Sequence, residues 1–431
     1  MNTVSNIATT LKIVDATLAG RDGLWSIALQ GAVIAEVAPQ IDTYAQLTLK
    51  AKGRLVTPGL VDGHLHLDKA LLLAQHPAQT GTFQEALTET GNLKHGFTIE
   101  DIQSRARQVI EREINFGTTL MRSHVEVDPM LRLTAMEALV PLKQEYAWGL
   151  TLQLAVFAQE GITNQPGTIA LLRQAMAMGG DVIGSAPYVD PEPEQNICTV
   201  FDLAQEFDCD VDFHLDFLDD DSPLLLPVVV AETLKRGWQG RVCLGHMTKL
   251  AGLPPDRLQE TAATLRNAGI SILALPATDL YMMARKDTHD IRRGVAPIHT
   301  LMEHGVTVGV ATNNIQNLFT PFGDGDLLKI CTLLAQTLQL GTAKSHIQCL
   351  EMATASAARA IGVKNYGVAP GNAADLVLIA ANSASEAICP APIERTVIKH
   401  GKIVAETHAQ RILMSPEFTQ QLAQSKAPDA S

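Results

Sequence analysis

The sequence predicts an α/β protein, a (β/α)8 barrel of the TIM type carrying a small β-sandwich built from both chain ends. Three observations predict it. Eight short strand-like runs alternate with helix-length segments through the middle of the chain. Strand-rich stretches bracket this middle at both ends, and histidines sit where several of the middle strands stop.

Residues 1–56 alternate short apolar runs with turns, at 11–14, 24–29, 32–37 and 47–49, and these read as strands. The same style returns at 375–379 and 396–406, where Gly371-Asn372 and His400-Gly401 are turn pairs. Residues 1–56 and 367–412 are therefore expected to form one small β domain, with the barrel of 57–366 inserted between them. The candidate barrel strands are 60–63, 119–123, 151–156, 181–185, 210–213, 241–245, 271–275 and 307–311, the eight that a closed barrel needs, at intervals of roughly 30 residues. Thr98 followed by Asp101 reads as a cap for a helix over 102–116 that Gly117 ends. Residues 345–361 read as helical, and the polar 413–431 as a loose helix or tail.

Composition narrows the function. The chain has 431 residues, 46% hydrophobic and 18% charged, enough to bury a large core. A net charge of -13 argues against nucleic acid as the main partner, because phosphate binding needs a basic surface. No apolar run approaches ~18 residues, so no membrane span is expected. The N-terminus lacks a basic segment followed by an apolar one, and the six cysteines form no C-x-x-C pair. They read as buried thiols of a reducing compartment, so a cytoplasmic location is expected.

The sharpest local signal is His64-Leu65-His66-Leu67-Asp68. Residues i and i+2 of a strand share a face, so His64 and His66 can present two imidazoles to one metal ion. His124, His214 and His246 each directly follow a candidate strand, where a barrel places its catalytic groups. Packing alone explains five histidines at four strand ends poorly.

These motifs resemble the amidohydrolase superfamily, and within it the cytosine deaminase branch. The resemblance runs from Val56 to Glu406 and rests on several further motifs. They are Thr57-Pro58-Gly59 before the histidine pair, Ser123-His124-Val125, Phe157-Ala158-Gln159-Glu160-Gly161, His214-Leu215-Asp216, Gly245-His246-Met247-Thr248, the segment 312–323, and Pro370-Gly371-Asn372-Ala373-Ala374-Asp375-Leu376. The resemblance implies that His64, His66 and His214 bind one divalent metal ion, Zn or Fe. It implies that His246 hydrogen-bonds the activated water or the developing tetrahedral centre, and that Gln159 reads the amide edge of a heterocycle. Subtypes with two metals carry a lysine after the fourth strand; here Ser185-Ala186-Pro187-Tyr188 stands there, so one metal is expected.

Two positions depart from the branch pattern. A proton-shuttling glutamate is replaced by Phe217, and a metal-binding aspartate at the end of strand eight is replaced by Asn313. Phenylalanine carries no proton and asparagine is a poor base, yet ammonia can leave only after a proton reaches its nitrogen. Asp68, Asp216, Asp219, Asp220, Asp221 and Asp279 are alternative carriers, while Asp324 and Asp326 look like residues of a helix start. The expected activity is hydrolysis of a C–N bond in a small nitrogen heterocycle, such as a cytosine-like pyrimidine or a triazine. His246 and Asn313 are the expected catalytic residues, and Gln159, Asn314 and Phe217 the expected substrate contacts. The alternatives are a catalytically impaired ligand-binding paralogue and, third, a structural scaffold. A homo-oligomer is allowed, since such barrels commonly assemble, but no residue proves one.

Overall fold

Among the described residues, the alternation of apolar runs and helix-length segments folds into two eight-stranded sheets. The computed structural model describes residues 9–217 and 220–414, so 415–431 of the expected tail lie outside the described residues.

The chain begins with β1 (Thr9–Leu18), β2 (Trp25–Gln30), β3 (Val33–Ala38), β4 (Ala45–Lys50) and β5 (Leu55–Pro58). The barrel follows as β6 (Leu60–Leu65), β7 (Thr118–Glu126), β8 (Thr151–Ala158), β9 (Val182–Ser185), β10 (Asp210–Leu215), β11 (Val242–His246), β12 (Ile270–Ala274) and β13 (Val308–Val310). The chain then returns to the first sheet through β14 (Leu376–Ile379), β15 (Arg395–Lys399) and β16 (Lys402–Thr407). Every expected strand is present, and the single run foreseen over 396–406 is a hairpin. Its turn residues His400 and Gly401 have φ of 50° and 72°, the left-handed pair that a two-residue hairpin demands.

In the terminal sheet, β1 serves two layers. Its first half pairs β2 antiparallel and β4 parallel, and its last residues pair β5. Between the halves the register shifts, and Asp15 turns the chain at φ 57°. The two layers close over Ile13, Ile27, Leu29, Ile34, Leu376 and Ile398, all buried.

In the barrel all neighbours from β6 to β13 run parallel. Both faces of a parallel barrel are covered, which explains the near-continuous apolar strands. On β10, Val211, Phe213 and Leu215 pack outward against helices, and Asp212 and His214 alternate inward. The seam between β6 and β13 closes only at its top, where the Asn313 N–H donates to the His64 carbonyl at 2.8 Å and the His66 N–H to the Asn313 carbonyl at 3.0 Å. Lower down, the helix Ala355–Ala360 fills the barrel's base. Gly309 admits it, since a Cβ there would lie 3.0 Å from the Ala357 Cα.

Helix boundaries follow local chemistry. Thr98 Oγ1 accepts from the Asp101 N–H at 3.2 Å to start Ile99–Phe116, and Gly117 ends it at φ 100°. The helix expected over 345–361 is two, Ala343–Met352 and Ala355–Ala360, because Thr354 leaves helical geometry with φ -135° and ψ -110°. Asp326 caps Leu327–Thr337 and also receives both guanidinium nitrogens of Arg395 at 2.7 and 2.8 Å, tying the terminal sheet to the barrel. Four cysteines are buried, but Cys198 is half-buried and Cys389 exposed, so those two depart from the expected buried thiols. Among the described residues no helix is long and apolar enough to cross a membrane.

Asp62 on β6 and Glu113 on the helix Ile99–Phe116 form a buried carboxyl pair. Burial pushes Asp62 up to about 6, and burial and Asp62 together push Glu113 well above the usual range. A raised carboxyl pKa contributes stability that is present at low pH and lost as pH rises through the folded value, here about 6 for Asp62. Glu113→Gln is therefore expected to raise Tm at pH 8 by about 2–4 °C, with the gain shrinking at pH 5, as thermal melts at the two pH values will record.

Candidate metal centre and cavity

The geometry of the site starts from one extra residue. Between Asp62 and Leu65 strand β6 advances three positions while β7 advances two, from Met121 to Ser123. This is a β-bulge, and it changes which face each side chain takes. Val61 packs into the barrel interior, and beyond the bulge Leu65 packs outward, so His64 and His66 both face the barrel axis. Gly245 leaves room for His64, because a Cβ there would lie 2.5 Å from its Cε1.

His64, His66 and His214 converge. The Nε2 atoms of His64 and His214 are 3.0 Å apart, and those of His66 and His214 are 3.1 Å apart. Burial, with the positive charge of neighbouring groups, holds all three imidazoles well below their usual pKa, so they are neutral. Each Nδ1 is buried without a partner. Neutral imidazoles have lone pairs to offer, and tetrahedral zinc sets its nitrogen ligands roughly 3.3 Å apart, so the three residues fit a divalent metal ion. Asn313, at φ 63°, adds a buried Oδ1 with no partner.

Beneath them lies a layer that the strand-end argument misplaces. His124 does not end its strand, because β7 continues to Glu126. Its ring sits 3.9 Å from that of His64, and its Nε2 is 3.2 Å from Asp212 Oδ1 without hydrogen-bond alignment. Asp212 Oδ2 accepts from Arg122 Nη1 at 2.8 Å. The alternation Asp212-Phe213-His214 was the available signal for Asp212, which shares the inward face with His214. A further acidic group, Glu126, Asp128 and Glu160, surrounds the Lys94 ammonium, which lies 3.1 Å from Asp128 and 2.6 Å from Glu160 and also contacts Glu126. That cation already occupies the centre of the group. Burial would raise Glu126, but Lys69 and Lys94 outweigh it and hold it down at about 2.

Above the histidines lies a narrow cavity of about 20 Å³ walled by Phe83, Tyr188, Phe217 and Phe319. Nothing in the sequence pattern marks Phe83 or Tyr188, which arrive from the loops after the first and fourth barrel strands. Phe217 is buried, its ring 4.1 Å from that of His246. Gln159 lines the cavity, and its Oε1 accepts from Lys69 Nζ at 3.4 Å, which leaves its amide N–H₂ as the group it can offer a ligand. Lys69 itself pairs with Glu126 at 3.0 Å. Asn314 also lines the cavity, but its Oδ1 accepts from Asn317 at 2.7 Å and its Nδ2 donates to Thr278 at 3.3 Å.

His246 reaches the cavity from a turn in which it and Met247 have φ of 72° and 53°. Its Nδ1 is 2.7 Å from Asp279 Oδ1, and Asp279 is fully buried. The other acidic candidates have structural partners. Asp216 accepts from the Leu225 and Leu226 N–H groups, Asp220 pairs with Lys249, Asp68 accepts from the Glu126 N–H, and Asp324 pairs with Lys329. Asp221 is exposed, and Asp219 lies outside the described residues. Because a methyl group at 245 strikes the His64 ring, Gly245→Ala is expected to weaken metal affinity by about 10–100-fold while the fold persists, measured by competition with a chromogenic chelator beside a far-UV melt.

Residues 98–405 match the Amidohydrolase family. The chain is 28% identical over 407 residues to N-isopropylammelide isopropyl amidohydrolase of Pseudomonas sp. (strain ADP), covering 92% of this chain and 97% of that one. It is 26% identical over 384 residues to pterin deaminase of Rhizobium rhizogenes, covering 88% and 87%. Among solved structures, 5-methylcytosine deaminase from Klebsiella pneumoniae liganded with 5-fluorocytosine superposes with a TM-score of 0.87 at 30% identity, covering 94% of this chain and 99% of that one. The fold, the family match across most of the length and these relatives agree: the chain belongs to the amidohydrolase family.

Proposed function

We propose that this protein is a metal-dependent hydrolase that breaks a non-peptide C–N bond, releasing an amine or ammonia from a small, flat nitrogen heterocycle of the pyrimidine, triazine or pterin kind. The observation that carries the reading is the meeting of three neutral imidazoles, the His214 nitrogen about 3 Å from those of both His64 and His66, at the floor of a cavity with aromatic walls. His64, His66 and His214 would hold one ion, and a donor set of imidazoles suits zinc or iron. Held there, the ion would supply acidification of water toward ~7, making a nucleophile available near neutral pH.

The remaining work belongs to the chain. Phe83, Phe217, Phe319 and Tyr188 exclude bulk water and sandwich a planar ring. Gln159, its Oε1 held by Lys69, donates its amide N–H to a ring carbonyl or other acceptor edge. His246 directs its Nε2 at the carbon under attack and hydrogen-bonds the oxygen that develops charge there. Asn313 Oδ1 accepts a hydrogen bond from the attacking water but takes no proton. The amide of Asn314 is engaged at both ends, so its part is to shape the wall.

Phe217 and Asn313 favour a second reading, a ligand-binding paralogue with little turnover, since neither moves a proton. One experiment separates the two. Protein purified without chelator is expected to hold about one zinc or iron per chain, lost in His64→Ala, and to release ammonia or amine from at least one ring among cytosine, isocytosine and ammelide-like triazines. Metal without turnover on any ring at any pH supports the paralogue. A gain of deaminase activity in the double variant Phe217→Glu, Asn313→Asp then marks degeneration of an older enzyme.

A further inference from the structure

Ring hydrolysis at this site needs a group that takes a proton from water and returns it to nitrogen, and the cavity offers few. The titratable side chains lining it are His66, Lys69, Tyr188, His214 and His246. The Nε2 atoms of His66 and His214 face one another at the metal position. The Lys69 ammonium is tied to Glu126 and Gln159. Burial pushes the Tyr188 hydroxyl far above the neutral range. His246 remains, and among the three lining histidines it alone has a buried carboxylate hydrogen-bonded behind it, Asp279 Oδ1 at 2.7 Å from Nδ1.

We propose that Asp279 makes His246 the proton carrier of this site, by fixing a proton on Nδ1 so that Nε2 exchanges protons with the reacting atoms in place of the carboxylate that Phe217 displaces. The inference rests on the hydrolase reading and deepens it. Asp279 is a positioning residue and His246 the catalytic one. The carboxylate cannot turn away, because its Oδ2 accepts from the Leu275 N–H at 3.2 Å. With Nδ1 donating to Asp279, Nε2 presents a lone pair, and the negative charge behind the ring stabilises the imidazolium that forms.

For an amino-substituted ring the step balances. Water oxygen bonds to the ring carbon, one water proton passes to His246 Nε2, and Nε2 delivers it to the adjacent ring nitrogen. The proton left on the new hydroxyl passes by the same nitrogen to the exocyclic amine. The C–N bond breaks with its electron pair on nitrogen, ammonia leaves, and a carbonyl remains.

Asp279→Asn tests this. The Leu275 N–H needs an acceptor, so the amide oxygen stays with it and the amide N–H₂ faces His246, forcing the imidazole proton onto Nε2. In the metal-loaded full-length protein, kcat is expected to fall about 100-fold or more while KM stays within about 3-fold and metal content is unchanged. In ¹⁵N-histidine-labelled protein, the His246 signal, assigned by its loss in His246→Gln, should report Nδ1–H in the wild type and Nε2–H in the variant. A kcat within about 3-fold of wild type overturns the proposal. So does a wild-type imidazole protonated on Nε2, a result that needs no variant to fold. A wild type that turns over no ring sinks the hydrolase reading and the carrier with it, whereas normal turnover by Asp279→Asn sinks the carrier alone.

Discussion

Three buried imidazoles whose nitrogens converge, His214 Nε2 lying 3.0 Å from that of His64 and 3.1 Å from that of His66, are the constraint around which the barrel mouth is organised. Neutral imidazoles carry one proton each, and here every Nδ1 also lies buried without a partner. Lone pairs so placed repel, and leaving such groups unpaired in a dry interior costs on the order of 1–3 kcal/mol apiece. At the proposed metal position a cation would turn the repulsion of the converging Nε2 lone pairs into binding. The bulge in β6, the bare Cα of Gly245 and the seam contacts of Asn313 with His64 and His66 all serve to hold the three rings in this otherwise unfavourable posture.

The same arrangement keeps negative charge one layer away from the proposed metal position. Where the family branch places an aspartate beside the metal, this chain has the neutral amide of Asn313. The nearest carboxylates are instead Asp212, shared between Arg122 and the underside of His64 and His124, and Asp279, behind His246. Glu126 is neutralised by two lysines. Attraction for the proposed divalent ion would thus be relayed through ring nitrogens, with the groups behind those rings tuning affinity and basicity. With Phe217 lying over His246, the floor of the cavity is poor in formal charge and its walls are flat and apolar.

Much of this was legible in the residues. Parallel strands buried on both faces leave continuous apolar runs that survive as a signal, so all eight barrel strands fall where those runs lie. Thr98 and Gly117 announce their helix by local chemistry alone. What escaped depends on pairing across the sheet. A bulge is a mismatch between two strands, and nothing in His64-Leu65-His66 encodes it. His124 looked like a strand end because β7 runs on into Glu126, past its apolar stretch. The break at Thr354 arises where the helix meets the barrel's base, and Phe83 and Tyr188 become cavity walls only when their loops fold over the mouth.

The terminal sheet imposes an order of events on synthesis. Strand β5 leaves the ribosome early, yet its antiparallel partner β14 is made only after the whole barrel, and Pro58 waits for Leu376. Until then Ile27, Leu29, Ile34 and Val56 present an apolar face and an unpaired edge, the kind of surface on which nascent chains aggregate. Leu376, Leu378 and Ile398 cover that face at the last moment. That face therefore stays uncovered for as long as the whole barrel takes to be made, however well the barrel itself folds.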